Sequence, residues 1–132
     1  RFSANFNRLG FHPGFGLSVT LPRLVGTQKA ALLFYTGRRI GGDEALAMGL
    51  ADVLVAQDQV RAEAQKLARE IATSAPIAVQ STRWSLRQGL VEQIRSAVAR
   101  ESTEQNAQFK TADFREGVAA YAARREPRFT GE

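Results

Sequence analysis

Cysteine is absent from the sequence, and histidine, methionine and tryptophan each occur once. The lack of cysteine excludes a disulfide framework, a thiolate metal site and a cysteine nucleophile. A chain without disulfides fits a reducing compartment, so we expect a cytoplasmic location. No metal site is expected either.

Long apolar runs are missing as well. No stretch approaches the roughly 20 apolar residues that cross a bilayer, and no secretory leader is visible. We therefore expect a water-soluble chain without a membrane partner. The 132 residues, 44% of them apolar, suit one domain. Because the chain opens with Arg1 and its one methionine is Met48, we expect it to be a piece of a longer protein.

The net charge is +5, from 18 Lys and Arg against 13 Asp and Glu. This balance suits nucleic acid, acidic cofactors or a basic oligomer surface. The basic residues are scattered among acidic ones, whereas a nucleic-acid surface clusters them on one face with aromatic residues between. Nucleic-acid binding is therefore the weakest of these alternatives.

The first third of the chain predicts a strand, a loop and two helices. Residues 2–6 alternate as in a short strand, and glycine and proline make 7–16 a loop. Apolar residues then dominate 16–36, which predicts a pair of helices separated by Gly26 and ended by Gly37.

The next segment predicts a helix, a strand and a second helix. Asp43 is placed to cap a short helix that Gly49 ends, and the residues DVLV at 52–55 are prone to form a strand. The clearest amphipathic helix in the chain follows. Its apolar face consists of Val60, Ala64, Leu67, Ala68 and Ile71.

Three helices are predicted in the remainder. Pro76 suits the first turn of a helix that ends before Gly89, and the next covers 91–109. The apolar stripe of that helix thins out toward its end, so we expect this part of the chain to meet solvent or to mediate self-association. Asp113 and Glu116 have the spacing of a capping box for a last helix. Pro127 closes it.

Four segments carry a resemblance to a known family through their order and spacing. They are LGFHPGFGLSVTLPRLVG, ALLFYTGRRIGGDEALAMGLADVLV, SAPIAVQSTRWSLRQGL and DFREGVAAYAARREPRF. Together they resemble the carboxyl-terminal half of the crotonase family, the enoyl-CoA hydratase/isomerase proteins, over nearly all of this chain.

The resemblance implies an α/β fold, a spiral of ββα turns of which this portion is mostly helical with two short strands. Residues 1–132 would then form the carboxyl-terminal part of one crotonase-like domain. Its segment 1–56 would end the spiral core, and 57–132 would form a helical tail that drives assembly into a trimer or hexamer. The implied substrate is an acyl-CoA thioester, with coenzyme A as part of the substrate and no separate cofactor.

The resemblance also implies a reaction through an enolate stabilised by two backbone N–H groups, an interaction worth about 3–4 kcal/mol per donor in acyl chemistry. Those donors belong to the amino-terminal half, so this chain alone is expected to be inactive. The position of the second hydratase glutamate, shortly before Leu9 and Gly10, holds Phe6 here. A phenyl ring transfers no proton, which puts a two-glutamate hydratase mechanism in doubt.

His12 is the nearest titratable residue and is the candidate proton carrier, since imidazole suits proton transfer near neutral pH. The alternative is a loop histidine bonded to the backbone. Phe6 is a candidate for lining the acyl pocket, with Gly10, Pro13 and Gly14 shaping the loop beside the thioester. By resemblance, Arg124 would reach a CoA phosphate.

Two functions from different classes stay open. The first is crotonase-type chemistry on an acyl-CoA thioester, as a hydratase, an isomerase or a related enolate enzyme. The second is a non-catalytic module that binds a CoA ester or mediates oligomerisation, either because the parent has lost its acid/base pair or because only this half is present.

Overall fold

The computed structural model describes residues 1–132 as a mostly helical chain with one small sheet. Two 3₁₀ helices cover Asn5–Leu9 and Gln57–Gln59. The α-helices are α1 Leu17–Val25, α2 Thr27–Thr36, α3 Gly42–Ala47, α4 Val60–Ala72, α5 Pro76–Leu86, α6 Leu90–Gln108 and α7 Ala112–Ala122.

The sheet consists of two short antiparallel strands, β1 Phe2–Ser3 and β2 Arg39–Ile40. Phe2 pairs with Ile40 and Ser3 with Arg39. The predicted first strand is therefore correct only at its start, because residues 5–9 turn into a 3₁₀ helix. The predicted strand at 52–55 is wrong. That segment pairs with no other segment of the chain, and a strand exists only where a neighbour satisfies its backbone groups.

The predicted helical pair is confirmed as α1 and α2, and the glycines lie where the helices end. Gly26 and Gly37 have φ values of 80° and 57°, which glycine adopts without strain. Asp43 is not the cap of α3, since Gly41 holds that position and Asp43 lies in the first turn. A carboxylate in the first turn still interacts favourably with the helix dipole.

The core is small and lies near the amino-terminal end. It joins α1, α2, β2 and α3 and consists of Leu21, Val25, Ala30, Leu33, Ile40, Ala45 and Met48. Helices α4 and α5 form where predicted but contribute no buried residue. Their apolar side chains, among them Leu67, Ile77 and Leu86, are exposed. Trp84 is exposed too.

Helix α7 lies directly on the first 3₁₀ helix through two glycines. A Cβ atom on Gly117 would lie 2.5 Å from the carbonyl carbon of Leu9, and one on Gly10 would lie 2.5 Å from the carbonyl oxygen of Asp113. Both contacts are to backbone atoms, which cannot move aside as a side chain can. Gly10 is therefore required where the loop approaches the helix.

The predicted capping box of the last helix is wrong. Thr111 is the cap of α7, and its Oγ1 accepts a hydrogen bond of 3.0 Å from the backbone N–H of Phe114. Asp113 instead accepts from the backbone N–H groups of Thr130 and Gly131, at 2.7 and 2.9 Å. The Asp113 carboxylate thus holds the chain that follows the helix. Sequence spacing alone does not distinguish this role from capping of the helix.

Candidate functional site

The loop between the first 3₁₀ helix and α1 carries most of the predicted site residues. Three of its residues have left-handed φ values: Gly10 at 80°, Phe15 at 64° and Gly16 at 71°. Glycine takes this conformation readily, whereas a bulky residue such as phenylalanine does so at a cost. The loop therefore has a specific backbone conformation in which Phe15 is the one unfavourable residue.

One face of α6 holds the loop by hydrogen bonds from side chains to backbone. Gln105 Nε2 donates to the carbonyl oxygen of His12 at 2.8 Å. Gln108 Oε1 accepts from the N–H of His12 at 2.5 Å. Glu101, one turn before Gln105, lies on the same face and binds the end of the loop.

Glu101 is the most deeply buried charged side chain, with 1% of its surface exposed. Its Oε2 accepts from the N–H of Gly16 at 2.7 Å, and its Oε1 accepts from the N–H and Oγ of Ser18 at 3.0 and 2.5 Å. These donors lie at the start of α1, where N–H groups have no partner within the helix. A carboxylate from α6 therefore caps α1, and its negative charge interacts favourably with the dipole of that helix.

Sequence reasoning missed Glu101. The predicted apolar stripe of α6, Val91, Ile94 and Val98, stops after Val98, which indicated contact with solvent or a partner. In the structure Glu101, Gln105 and Gln108 continue the same face in polar form against the loop. The available signal was a glutamate three residues after Val98, where the next residue of that helix face was due.

His12 makes a local backbone contact. Its Nδ1 lies 2.7 Å from the carbonyl oxygen of Pro13, so in the neutral ring Nδ1 carries the proton and Nε2 is the acceptor. His12 lines a groove of about 490 Å³ together with Gln108, Asp113 and Phe129. This geometry matches the loop-histidine alternative and still leaves Nε2 able to take a proton.

Pro13 and Gly14, the other loop residues predicted to shape the site, are buried. A Cβ on Gly14 would lie 2.7 Å from Nε2 of Gln105, so this glycine lets α6 approach the loop. With Gly10 against α7, the loop contacts α6 at one end of residues 10–14 and α7 at the other.

Five phenylalanines lie in or around the loop, and Phe6 lies between Phe11 and the highly exposed Phe15. Its ring centroid is 5.5 Å from that of Phe11 and 6.4 Å from that of Phe15. Phe11 in turn contacts Phe109 at 5.2 Å and Phe114 at 5.6 Å. Such edge and tilted arrangements are those that aromatic pairs prefer. Phe6 and Phe11 are thus half-buried in this aromatic cluster, while Phe15 is exposed.

Arg124 lies just beyond α7, with φ at 54°, and its side chain makes no hydrogen bond or ion pair. Its neighbour Arg125 is engaged by Glu116 through two hydrogen bonds of 2.6 and 2.8 Å. The bond from Arg125, followed by that from the N–H of Arg128, lowers the pKa of Glu116 from 4.5 to about 2. Of the two adjacent arginines, Arg124 is therefore the one whose guanidinium is available to a ligand.

The chain offers no group of three His, Asp or Glu side chains close enough to hold a metal ion. None of its helices combines the length and the apolar character that a membrane span requires.

Comparisons with known proteins consistently find similarity to enoyl-CoA hydratases and isomerases. The family described as enoyl-CoA hydratase/isomerase matches residues 1–132. The Bos taurus protein named enoyl-CoA hydratase domain-containing protein 2, mitochondrial, is 39% identical over 127 residues, which is 93% of this chain and 43% of that protein. The crotonyl-CoA hydratase of Syntrophomonas wolfei is 34% identical over 121 residues, 92% of this chain and 46% of that protein.

The same fold occurs in solved structures. The crystal structure of an enoyl-CoA hydratase/isomerase from Pseudoalteromonas atlantica superposes with a TM-score of 0.85 and 32% identity over 98% of this chain and 52% of that one. The chain thus spans about half the length of the relatives that it matches. The expected fold class, a mostly helical fragment of an α/β crotonase fold, is confirmed. The chain belongs to the enoyl-CoA hydratase/isomerase family.

Proposed function

We propose that this chain is the carboxyl-terminal half of an enzyme that acts on an acyl-CoA thioester through an oxyanion-stabilised enolate. The observation that carries the proposal is the family match over residues 1–132. Relatives named short-chain-enoyl-CoA hydratase and crotonyl-CoA hydratase support the substrate class. The backbone donors for the enolate oxygen would come from the other half, so this chain alone is inactive.

Phe6 makes the full-length protein a weak hydratase or directs it to another enolate reaction. The side chain has no proton to transfer, and general acid/base assistance contributes about 10²–10⁴-fold to a rate. His12 is the proposed proton carrier. Its Nδ1 is held by the Pro13 carbonyl, which orients the ring and leaves Nε2 for the substrate.

The remaining site residues have supporting roles in the proposal. Gly10, Pro13 and Gly14 shape the backbone beside the thioester. The unpaired guanidinium of Arg124 binds a CoA phosphate, for which its planar donor set is suited.

Self-association of the full-length protein as a trimer or hexamer belongs to the same proposal. Self-association is supported by apolar side chains that no other part of this chain buries. They include Ile77 and Leu86 on α5 and Val118 and Tyr121 on α7. Burial of such surface is the main favourable term in association. The cytoplasmic location expected from the absence of cysteine is likewise a proposal.

A second candidate is a non-catalytic module that binds CoA esters, and the observation that favours it is again Phe6. Hydration of crotonyl-CoA by the full-length protein, by its Phe6→Glu variant and by its Phe6→Gln variant separates the two functions. Glutamate and glutamine have nearly the same shape, but only glutamate can act as acid or base, so the pair controls for damage to the aromatic cluster.

If Phe6 occupies the acid/base position, the unmodified protein hydrates crotonyl-CoA slowly. Phe6→Glu then raises the rate by about 10²-fold over Phe6→Gln. Efficient hydration by the unmodified protein would show that the role assigned to this position is wrong. Crotonyl-CoA binding with no turnover of any enoyl-CoA, even in Phe6→Glu, would favour the non-catalytic module.

A further inference from the structure

Phe15 is the most exposed large apolar residue of the chain, with 91% of its surface accessible. It also has a left-handed backbone, with φ at 64°. An exposed phenyl ring contributes no burial energy to folding, and a left-handed φ at a bulky residue opposes folding. Backbone outliers of this kind persist where the surrounding structure imposes them, and they cluster at functional sites.

The surrounding structure does impose this position. Gly14 and Gly16 on either side are buried, and each is in contact with α6. Gly14 lies against the Gln105 side chain, and the N–H of Gly16 donates to Glu101. The backbone of Phe15 is therefore held between two anchored residues, and its ring projects from a fixed point.

Phe6 is the aromatic neighbour of this ring, at a centroid distance of 6.4 Å and an interplanar angle of 53°. Phe6 is itself backed by Phe11 at 5.5 Å. The rings of Phe6 and Phe15 thus form an apolar wall, supported from behind by Phe11, and Phe6 itself occupies the position proposed for acid/base chemistry. The atoms nearest that position along an acyl-CoA are those of the acyl group.

We propose that Phe15 is a specificity-determining residue that, together with Phe6, contacts the acyl group and favours large apolar or aromatic acyl chains over short ones. This inference rests on the proposed function. It adds a substrate preference and assigns that preference to Phe15.

The test measures binding in the full-length protein, because binding does not depend on which reaction follows. Dissociation constants are measured by calorimetry for butyryl-CoA, 3-phenylpropionyl-CoA and free CoA. The variants are Phe15→Gly and Phe15→Asn, because both residues accept a left-handed backbone and so keep the loop conformation. Tyr35→Ala is the matched control, since it removes another exposed aromatic ring, 78% accessible, from α2.

The unmodified protein is expected to bind 3-phenylpropionyl-CoA more tightly than butyryl-CoA. Both Phe15 variants should reduce that ratio about tenfold, which corresponds to roughly 55 Å² of apolar contact. Tyr35→Ala should leave the ratio unchanged. Affinity for free CoA should be the same in all four proteins.

Two results overturn the inference, and they differ in what else they affect. An unchanged ratio in both Phe15 variants, with CoA esters still bound, rejects the role of Phe15 and leaves the proposed function intact. Failure of the unmodified protein to bind any of the three ligands rejects the proposed function and the inference with it.

Discussion

Replacing Glu101 by alanine is expected to destabilise the protein more than any other single removal of a carboxylate. The side chain is 1% exposed and accepts three hydrogen bonds, from the N–H groups of Gly16 and Ser18 and from the Ser18 hydroxyl. Alanine would leave two backbone donors at the start of α1 without an acceptor.

The magnitude follows from those donors. A buried donor left unpaired costs about 1–3 kcal/mol, and a hydrogen bond to a charged group contributes about 1.5–3 kcal/mol. The hydroxyl of half-buried Ser18 can turn to solvent, so the two N–H groups dominate. We expect Glu101→Ala to lower the free energy of unfolding by about 3–5 kcal/mol. Glu101→Gln, which keeps one carbonyl oxygen, should cost about 2–3 kcal/mol.

Urea unfolding of the full-length protein at one fixed concentration measures these differences. Glu104→Ala is the control, because it removes a glutamate from the same helix whose ion pair with Arg100 is partly exposed. It should change stability by less than about 1 kcal/mol. If Glu101→Ala cost no more than Glu104→Ala, Glu101 would not be the group by which α6 stabilises the start of α1.

Two further predictions concern the end of the chain. The ionised form of Glu116 stabilises the fold because its pKa is lowered from 4.5 to about 2, so this contribution is complete above pH 4.5 and disappears as the pH falls through about 2. Thermal unfolding over that range should therefore show a shallower loss of stability in Glu116→Gln than in the unmodified protein, and parallel curves would contradict the assignment. Arg124→Ala should weaken binding of a CoA ester to the full-length protein by roughly 1.5–3 kcal/mol, and Arg115→Ala, an exposed arginine of α7, should not. Equal affinity of the two variants in calorimetry would rule out a phosphate contact at Arg124.

The helices could be predicted from sequence because their signals are local. Gly26 and Gly37 end the first two helices, Pro76 begins α5, and an apolar face at helical spacing marks residues 60–72. Each signal acts within a few residues along the chain, through backbone conformation or spacing, and needs no knowledge of what lies opposite. The family resemblance likewise depends on the order of short segments.

The strand at 52–55 and the capping role of Asp113 were predicted wrongly because both depend on a partner. DVLV is apolar enough for a strand, but no neighbouring strand pairs with it in this chain. The Asp113 carboxylate suits a helix N-terminus, yet Thr111 takes that position and Asp113 binds the backbone of Thr130 and Gly131 instead.

The sequence by itself determined where the helices lie and that no thiol chemistry is available. Only the tertiary structure decided that Glu101 on α6 binds the start of α1, 85 residues earlier in the chain. It also decided that Phe15 projects outward from a loop whose neighbouring residues are buried. The physical reason is that side-chain hydrogen bonds and exposure depend on the surface that folding brings alongside, and residue type and spacing do not specify that surface.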